Sequence, residues 1–87
     1  MNNLPILDIS DEEIINLYKT IGANVKKFRK EKEITQLDLA LAIGYKSVSS
    51  IAKAESLIEN KHFNIEQIYK ISKVLNIQIA EFFKPIK

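Results

Sequence analysis

Charged side chains are the most abundant chemically functional groups of this sequence, and they are distributed unevenly. The first eighteen residues carry no Lys or Arg and four acids, namely Asp8, Asp11, Glu12 and Glu13. Residues 19–87 hold all 13 basic residues against seven acids, a net charge of +6. A compact basic body behind an acidic segment is a candidate polyanion binder, and a solvated lysine-rich surface is an equal alternative.

The sequence lacks most of the residue types that catalytic and metal-binding sites require. There is no cysteine, which excludes disulfides and thiolate metal sites. His62 is the only histidine, so we expect an exposed loop side chain rather than a metal ligand, with Phe63 in the core. The sequence has no phosphate-cradling glycine loop, no nucleophile–histidine arrangement and no paired acids. It therefore predicts no catalytic, cofactor-binding or metal-binding residues.

The segment from Thr35 to Glu55 has a more specific pattern. Thr35 is a capping residue, and a short amphipathic helix follows it. Ala40 is small enough for two helices to cross closely, and Gly44 readily adopts the positive φ that ends a helix. Ser47 is the expected cap of a second short helix, over about 48–56, with Ile51 on its inner face. This order is the helix-turn-helix geometry, in which the second helix enters the major groove of DNA.

Further residues extend this pattern over residues 20–83. In order and spacing, the sequence resembles the Cro and phage-repressor type of helix-turn-helix family, the XRE family. The matching positions are Val25, Phe28, Arg29, Thr35, Gln36, Leu39, Ala40, Gly44, Ser50, Ile51, Glu55, Ile68, Ile71, Ser72, Leu75, Ile77 and Phe82. The resemblance implies an all-α, five-helix repressor-like domain and a sequence-specific regulator of transcription that binds double-stranded DNA.

The resemblance also implies roles for individual residues. Arg29 and Glu55 would form an internal structural pair. The recognition helix would span about residues 47–55. The implied DNA-binding residues are Gln36, Tyr45, Lys46, Ser47, Val48, Ser49, Ser50 and Lys53. Gln36, Lys46 and Ser47 would contact phosphates, Ser50 would lie near the backbone, and Val48, Ser49 and Lys53 would face base edges. Tyr45 would combine packing on the domain with a hydroxyl near a phosphate.

The sequence departs from the family pattern in and around this helix. One extra residue lies between Gly44 and Ile51, and Ser56-Leu57 stands where a glycine usually follows the glutamate. The next loop is about two residues longer, and residues 1–19 have no counterpart in the minimal domain. Between Tyr45 and Glu55 there is no Arg, Gln or Asn, the residues that discriminate bases best. We therefore expect modest direct readout, with phosphate contacts and DNA shape supplying much of the affinity.

Hydrophobic periodicity near 3.6 predicts the remaining elements. A first helix over about 11–32 begins at a Ser10 cap and continues through Gly22, with two helices meeting at Gly22 as the alternative. A fourth helix follows an Asn64 cap with Gln67 in a capping box, and a short closing helix spans about 78–83. We divide the chain into an acidic extension, 1–19, and a DNA-binding domain, 20–84.

Partners follow from the same pattern. We expect double-stranded DNA and a homodimer whose interface is either the closing helices, around Ile77, Ile79, Phe82 and Phe83, or the N-terminal extension. The alternative function is a protein-interaction module, antitoxin-like, that holds a protein partner through the extension and binds DNA weakly. The acidic N-terminus is unlike a signal peptide, and no apolar run approaches the roughly 20 residues that span a bilayer. We therefore expect a cytoplasmic protein without membrane contact.

Overall fold

The computed structural model describes residues 3–86, and every regular element in that range is helical. Four α-helices follow in order: α1 (Asp11–Glu31), α2 (Gln36–Ala42), α3 (Ser49–Ser56) and α4 (Ile65–Leu75). Two 3₁₀ segments complete the chain, at Ile58–Asn60 and at Ile79–Phe83. The all-α prediction is confirmed, and the fifth, closing helix is the second 3₁₀ segment.

Helix α1 runs without a break through Gly22, as its continuous apolar stripe predicts. Ser10 Oγ accepts a hydrogen bond from the backbone N–H of Glu13 at its start. Gly22 is buried against α3, and a Cβ built there would lie 2.8 Å from the carbonyl oxygens of Ala54 and Glu55. This glycine therefore permits close helix packing rather than a bend. The division at residue 19 falls inside α1.

The start of α3 differs from the prediction. Val48 occupies the N-cap position with helical backbone angles and makes no side-chain capping bond. Ser47 lies in the preceding turn, so its predicted role as the cap is wrong. The extra residue after Gly44 lengthens that turn, and the helix begins at Ser49 rather than at about 47 or 48. Gly44 ends α2 with a φ of 94°, as its position predicts.

The core lies between the four α-helices and the closing segment. Its fully buried large side chains are Val25, Leu39, Ile51, Ile68, Ile71, Leu75 and Phe82. Phe28 meets Phe82 edge to face at 5.5 Å between ring centroids. Asn24 Nδ2 donates to the carbonyl oxygens of Phe82 and Lys84, both at 2.8 Å, which ties the closing segment to α1. Phe63 is buried in this core, as predicted.

The N-terminal end projects from this core. Residues 3–10 form no regular element, and Ile14 and Leu17 at the start of α1 are 41% and 43% exposed. The described chain accordingly measures 48 Å along its long axis and 27 Å across. Helices of the described range are too short or too polar to cross a membrane.

Candidate nucleic-acid interface

A buried polar network joins the three helices around the predicted turn. Arg29 Nε donates to Glu55 Oε2 at 2.8 Å, and Arg29 Nη2 donates to Glu55 Oε1 at 3.1 Å. Gln36 Nε2 donates to the same Oε1 at 3.0 Å, and Arg29 Nη1 donates to the carbonyl of Ile34 at 2.9 Å. The two charged side chains are 7% and 1% exposed. The network therefore holds α1, the start of α2 and α3 in one fixed arrangement.

Apolar packing fixes the angle between α2 and α3. Ala40 and Ile51 are both completely buried. Thr35 Oγ1 accepts from the N–H of Asp38 and caps α2, and the N–H of Tyr45 bonds to the carbonyl of Ala40 across the glycine turn. These two hydrogen bonds fix the start of α2 and the turn that follows it, so α3 is held in a defined position.

The other side of this unit is a continuous polar surface. Lys46, Ser47, Val48, Ser49 and Ser50 are all exposed, and they follow one another through the turn into the first turn of α3. Because α3 begins without a side-chain cap, its first backbone N–H groups remain available to an incoming acceptor. Such a helix start, flanked by a lysine and three hydroxyls, has the chemistry to bind phosphate oxygens.

Tyr45 lies in the turn before α3 and packs against the core beneath this surface. Its ring is half-buried against the core, and its hydroxyl accepts a hydrogen bond from Gln67 Nε2. Gln67 is also the partner in the capping box of α4, which is present as predicted. The tyrosine therefore links the turn to α4.

Lys53 is held at the edge of the surface by an acid. Its Nζ lies 2.6 Å from Glu59 Oε2, and the two side chains are 33% and 60% exposed. The hydrogen bond and the charge of Lys53 hold the pKa of Glu59 below its ordinary value. The sequence-based prediction that Lys53 faces base edges did not anticipate this pair, because Glu59 lies in the loop after α3.

The conformation of that loop explains how it brings Glu59 back to α3. The backbone φ angles of Leu57, Glu59 and Asn60 are 56–59°. They lie in the left-handed region, which residues other than glycine rarely adopt. Leu57 caps α3 in this conformation, which glycine adopts without steric cost. Each such residue costs on the order of 1–3 kcal/mol, so surrounding contacts must stabilise the loop.

One of those contacts involves His62. Its ring stacks on Tyr18 of α1 with 3.7 Å between centroids and 9° between planes. His62 is exposed, as expected for a loop residue, but the stack joins the loop to the first helix. The same histidine lines a shallow cleft of about 220 Å³ beside α3. Lys61 lines that cleft too, together with Ser49, Ser50, Lys53, Ala54 and Gln67.

Lys61 and His62 therefore belong to the polar surface around α3, although the sequence did not predict them there. The available signal was a Lys-His pair in the loop that follows the recognition-helix pattern. Loops of that kind usually point into solvent, so the signal is weak until the fold brings the loop back against α3.

The comparisons with known proteins bear on this same part of the chain. The model of a helix-turn-helix family matches residues 25–82, two thirds of the sequence. The match begins within α1 and ends in the closing 3₁₀ segment, so it covers the turn and both of its helices. No curated protein and no solved structure matches the chain.

Proposed function

From the premise that the chain belongs to the helix-turn-helix family of the Cro and phage-repressor type, we propose that it reads specific double-stranded DNA sites as a transcription regulator. In this proposal α3 enters the major groove, with each half-site read by one copy of a symmetric dimer. The family match supports DNA binding and transcription regulation, and it gives no indication of catalysis. A DNA-binding regulator acts in the compartment that holds the DNA, which favours the cytoplasm.

One observation carries the proposal: α3 has a buried face and an exposed face of different chemistry. Ile51, Ala54 and Glu55 are buried in the domain. Val48, Ser49 and Ser50 are exposed at the start of the helix, where the glycine turn presents them outwards. A recognition helix needs this division, because its packing must stay intact while its outer side chains enter a groove.

Phosphate contacts fall to the groups that surround α3. Lys46 and Ser47 precede the helix, and Lys61 follows it in the cleft. Gln36 uses one amide hydrogen on Glu55, which leaves the second hydrogen for a phosphate and fixes the amide in place. We therefore assign Gln36 a double role, in bracing α3 and in positioning the duplex.

Base contacts fall to Val48, Ser49 and Lys53, with Ser50 nearer the backbone. Val48 can pack on a thymine methyl, Ser49 can bond to either base class, and Lys53 can donate to guanine. The Nζ of Lys53 is paired with Glu59, so the side chain must either turn away from Glu59 or use its remaining N–H donors to reach a base. Direct readout is accordingly modest, and the sequence dependence of DNA shape supplies the remainder of the specificity.

The test is selection of bound fragments from random duplex DNA, followed by sequencing and by titration of the selected site. A palindromic site is expected, with affinity that falls steeply between about 50 and 200 mM salt. Lys53→Ala should weaken the selected site by about 1–3 kcal/mol and relax its sequence preference at one position. Lys46→Glu should weaken all duplexes alike. Lys70→Ala, on α4 and paired with Glu66, is the matched control that should change neither.

The second candidate function is a protein-interaction module, antitoxin-like, with weak DNA binding. The apolar side chains exposed at the N-terminal end favour it, since they offer a contact surface separate from α3. If no site is selected, and if Lys46→Glu and Lys53→Ala leave residual DNA binding unchanged, this function replaces the first.

A further inference from the structure

The N-terminal end carries a concentration of exposed apolar side chains. In the N-terminal arm, which we define as residues 3–10, Leu4, Ile6, Leu7 and Ile9 are 55–99% exposed. Ile14, Ile15 and Leu17 in the first two turns of α1 are 41–45% exposed. Single exposed apolar residues are common on protein surfaces, but seven within fourteen residues indicate an interaction surface.

The closing segment, which the sequence offered as the other dimer surface, is largely used by the domain itself. Phe82 is completely buried, and Ile77 and Ile79 are half-buried against the core. Of the four residues in that expectation, only Phe83 is exposed, at 39%. The structure therefore leaves much more free apolar surface at the N-terminal end.

The size of this surface suits a stable pair. Leu17 lies two residues from Ile15, about 200° around α1, and so faces away from it. The exposed fractions of the other six side chains together equal almost four complete Leu or Ile residues. That amounts to on the order of 800 Å², which is the contribution of each partner to an interface of standard size. A cleft of about 380 Å³ lies between α1 and the loop after α3, lined by Ile14, Ile15, Tyr18, Leu57 and His62 among others, and it can receive further apolar side chains.

The charges beside it identify the occupant. Glu12, Ile15 and Lys19 are spaced three and four residues apart, so they lie along one face of α1, and all three are exposed. When two such helices pack antiparallel about a twofold axis near residues 15 and 16, Glu12 of each copy lies opposite Lys19 of the other. The face therefore complements itself, with Ile15 at its centre and opposite charges at its two ends.

We propose that the N-terminal arm and the first two turns of α1 bind a second copy of this chain, with the two α1 helices antiparallel. The proposal supplies the interface for the dimer invoked in the proposed function and depends on that function in no other way. The continuous α1 then connects the interface directly to Arg29 and the network behind α3, so the pairing sets the distance between the two reading surfaces.

The experiment measures the mass and dissociation constant of the full chain in the absence of DNA, by light scattering and sedimentation. The unmodified chain should be a dimer. Glu12→Lys and Lys19→Glu should each weaken it roughly tenfold, since each creates two like-charged contacts, and the double variant should recover the original constant. Ile15→Glu should weaken it at least a hundredfold, because it places two carboxylates at the apolar centre.

Mixing the two single variants gives the most selective readout. The Glu12→Lys variant has basic residues at both positions, and the Lys19→Glu variant has acidic residues at both. The two variants therefore complement each other, and heterodimers should predominate over either homodimer. Ile65→Glu, at an exposed isoleucine on α4, is the control that should leave the dimer intact. Circular dichroism should show the same helix content in every variant, since all four positions are exposed.

Three results would overturn the proposal: a monomeric unmodified chain, a dimer that Phe83→Ala dissociates while Ile15→Glu does not, or no preference for the heterodimer. A monomer that captures a different protein through Ile15 would assign the surface to that protein instead. Failure of the proposed function looks different, because the dimer would then form as described while no duplex site is selected.

Discussion

The two faces of α3 differ in how strongly the rest of the molecule constrains them. Its inner face is held by Ile51 in the core and by Glu55 in a network with Arg29 and Gln36. Its outer face consists of small or flexible side chains, and Lys53 there forms an exposed ion pair. The difference separates two tasks: the inner face places the helix, and the outer face can change its contacts without cost to the fold.

The largest effect is expected from breaking the inner network. Glu55→Ala leaves the guanidinium of Arg29 buried without its partner and removes the acceptor of Gln36. Loss of one member of a buried ion pair costs about 3–5 kcal/mol, to be measured by chemical denaturation. The control is Glu66→Ala, which removes an exposed pair with Lys70 and should cost less than about 1 kcal/mol. Equal losses in the two variants would show that the network does not hold the inner face.

A smaller loss is expected where α1 touches the inner face of α3. Gly22→Ala adds a methyl group 2.8 Å from the carbonyl oxygens of Ala54 and Glu55. Overpacking of this kind costs about 1–3 kcal/mol, which exceeds the gain of about 1 kcal/mol in helix propensity. Asn16→Ala, at an exposed position of α1, should be neutral or slightly stabilising. A Gly22→Ala protein with a raised melting temperature would contradict the close packing.

Capping distinguishes the fixed start of α2 from the open start of α3. Thr35→Ala should lower stability by about 1 kcal/mol, because it removes the acceptor for the N–H of Asp38. Ser47→Ala should leave thermal stability unchanged, because Ser47 caps nothing. The same Ser47→Ala substitution should weaken DNA binding slightly if this hydroxyl meets a phosphate. Equal destabilisation by both substitutions would restore Ser47 as a cap.

The smallest effect concerns the exposed pair on the outer face. Glu59→Gln frees Lys53 and removes a negative charge beside the cleft, so affinity for duplex DNA should rise about two- to threefold at low salt. Because the pKa of Glu59 is lowered by Lys53, the pair is intact above the ordinary carboxyl range and is lost as pH falls through the lowered pKa. The gain from Glu59→Gln should be smaller in a Lys53→Ala background, where only the removal of the negative charge remains. A gain of the same size in both backgrounds would assign the whole effect to charge.

Much of the scaffold was predictable because local rules and packing agree. The Thr35 cap, the Gly44 turn and the Asn64–Gln67 capping box appear where their residue types place them. The continuous apolar stripe of α1 correctly predicted that the helix continues through Gly22. The cap at Ser47 was predicted wrongly because a serine before a helical pattern is a cap only if the chain enters the helix there. The length of the turn, and not the residue type, decided that Val48 stands at that position.

By itself, the sequence determined the helical elements, the helix-turn-helix order and most of the core-facing residues, since those depend on periodicity and on contacts within a few positions. Ile65 is an exception, because it was predicted on the inner face of α4 and is 67% exposed. Only the tertiary structure decided which side chains from distant parts of the chain meet. It paired Lys53 with Glu59, stacked His62 on Tyr18 and left the apolar side chains of the arm exposed. Those outcomes depend on the path of an unusual left-handed loop and on where the core ends, and no short-range pattern encodes either.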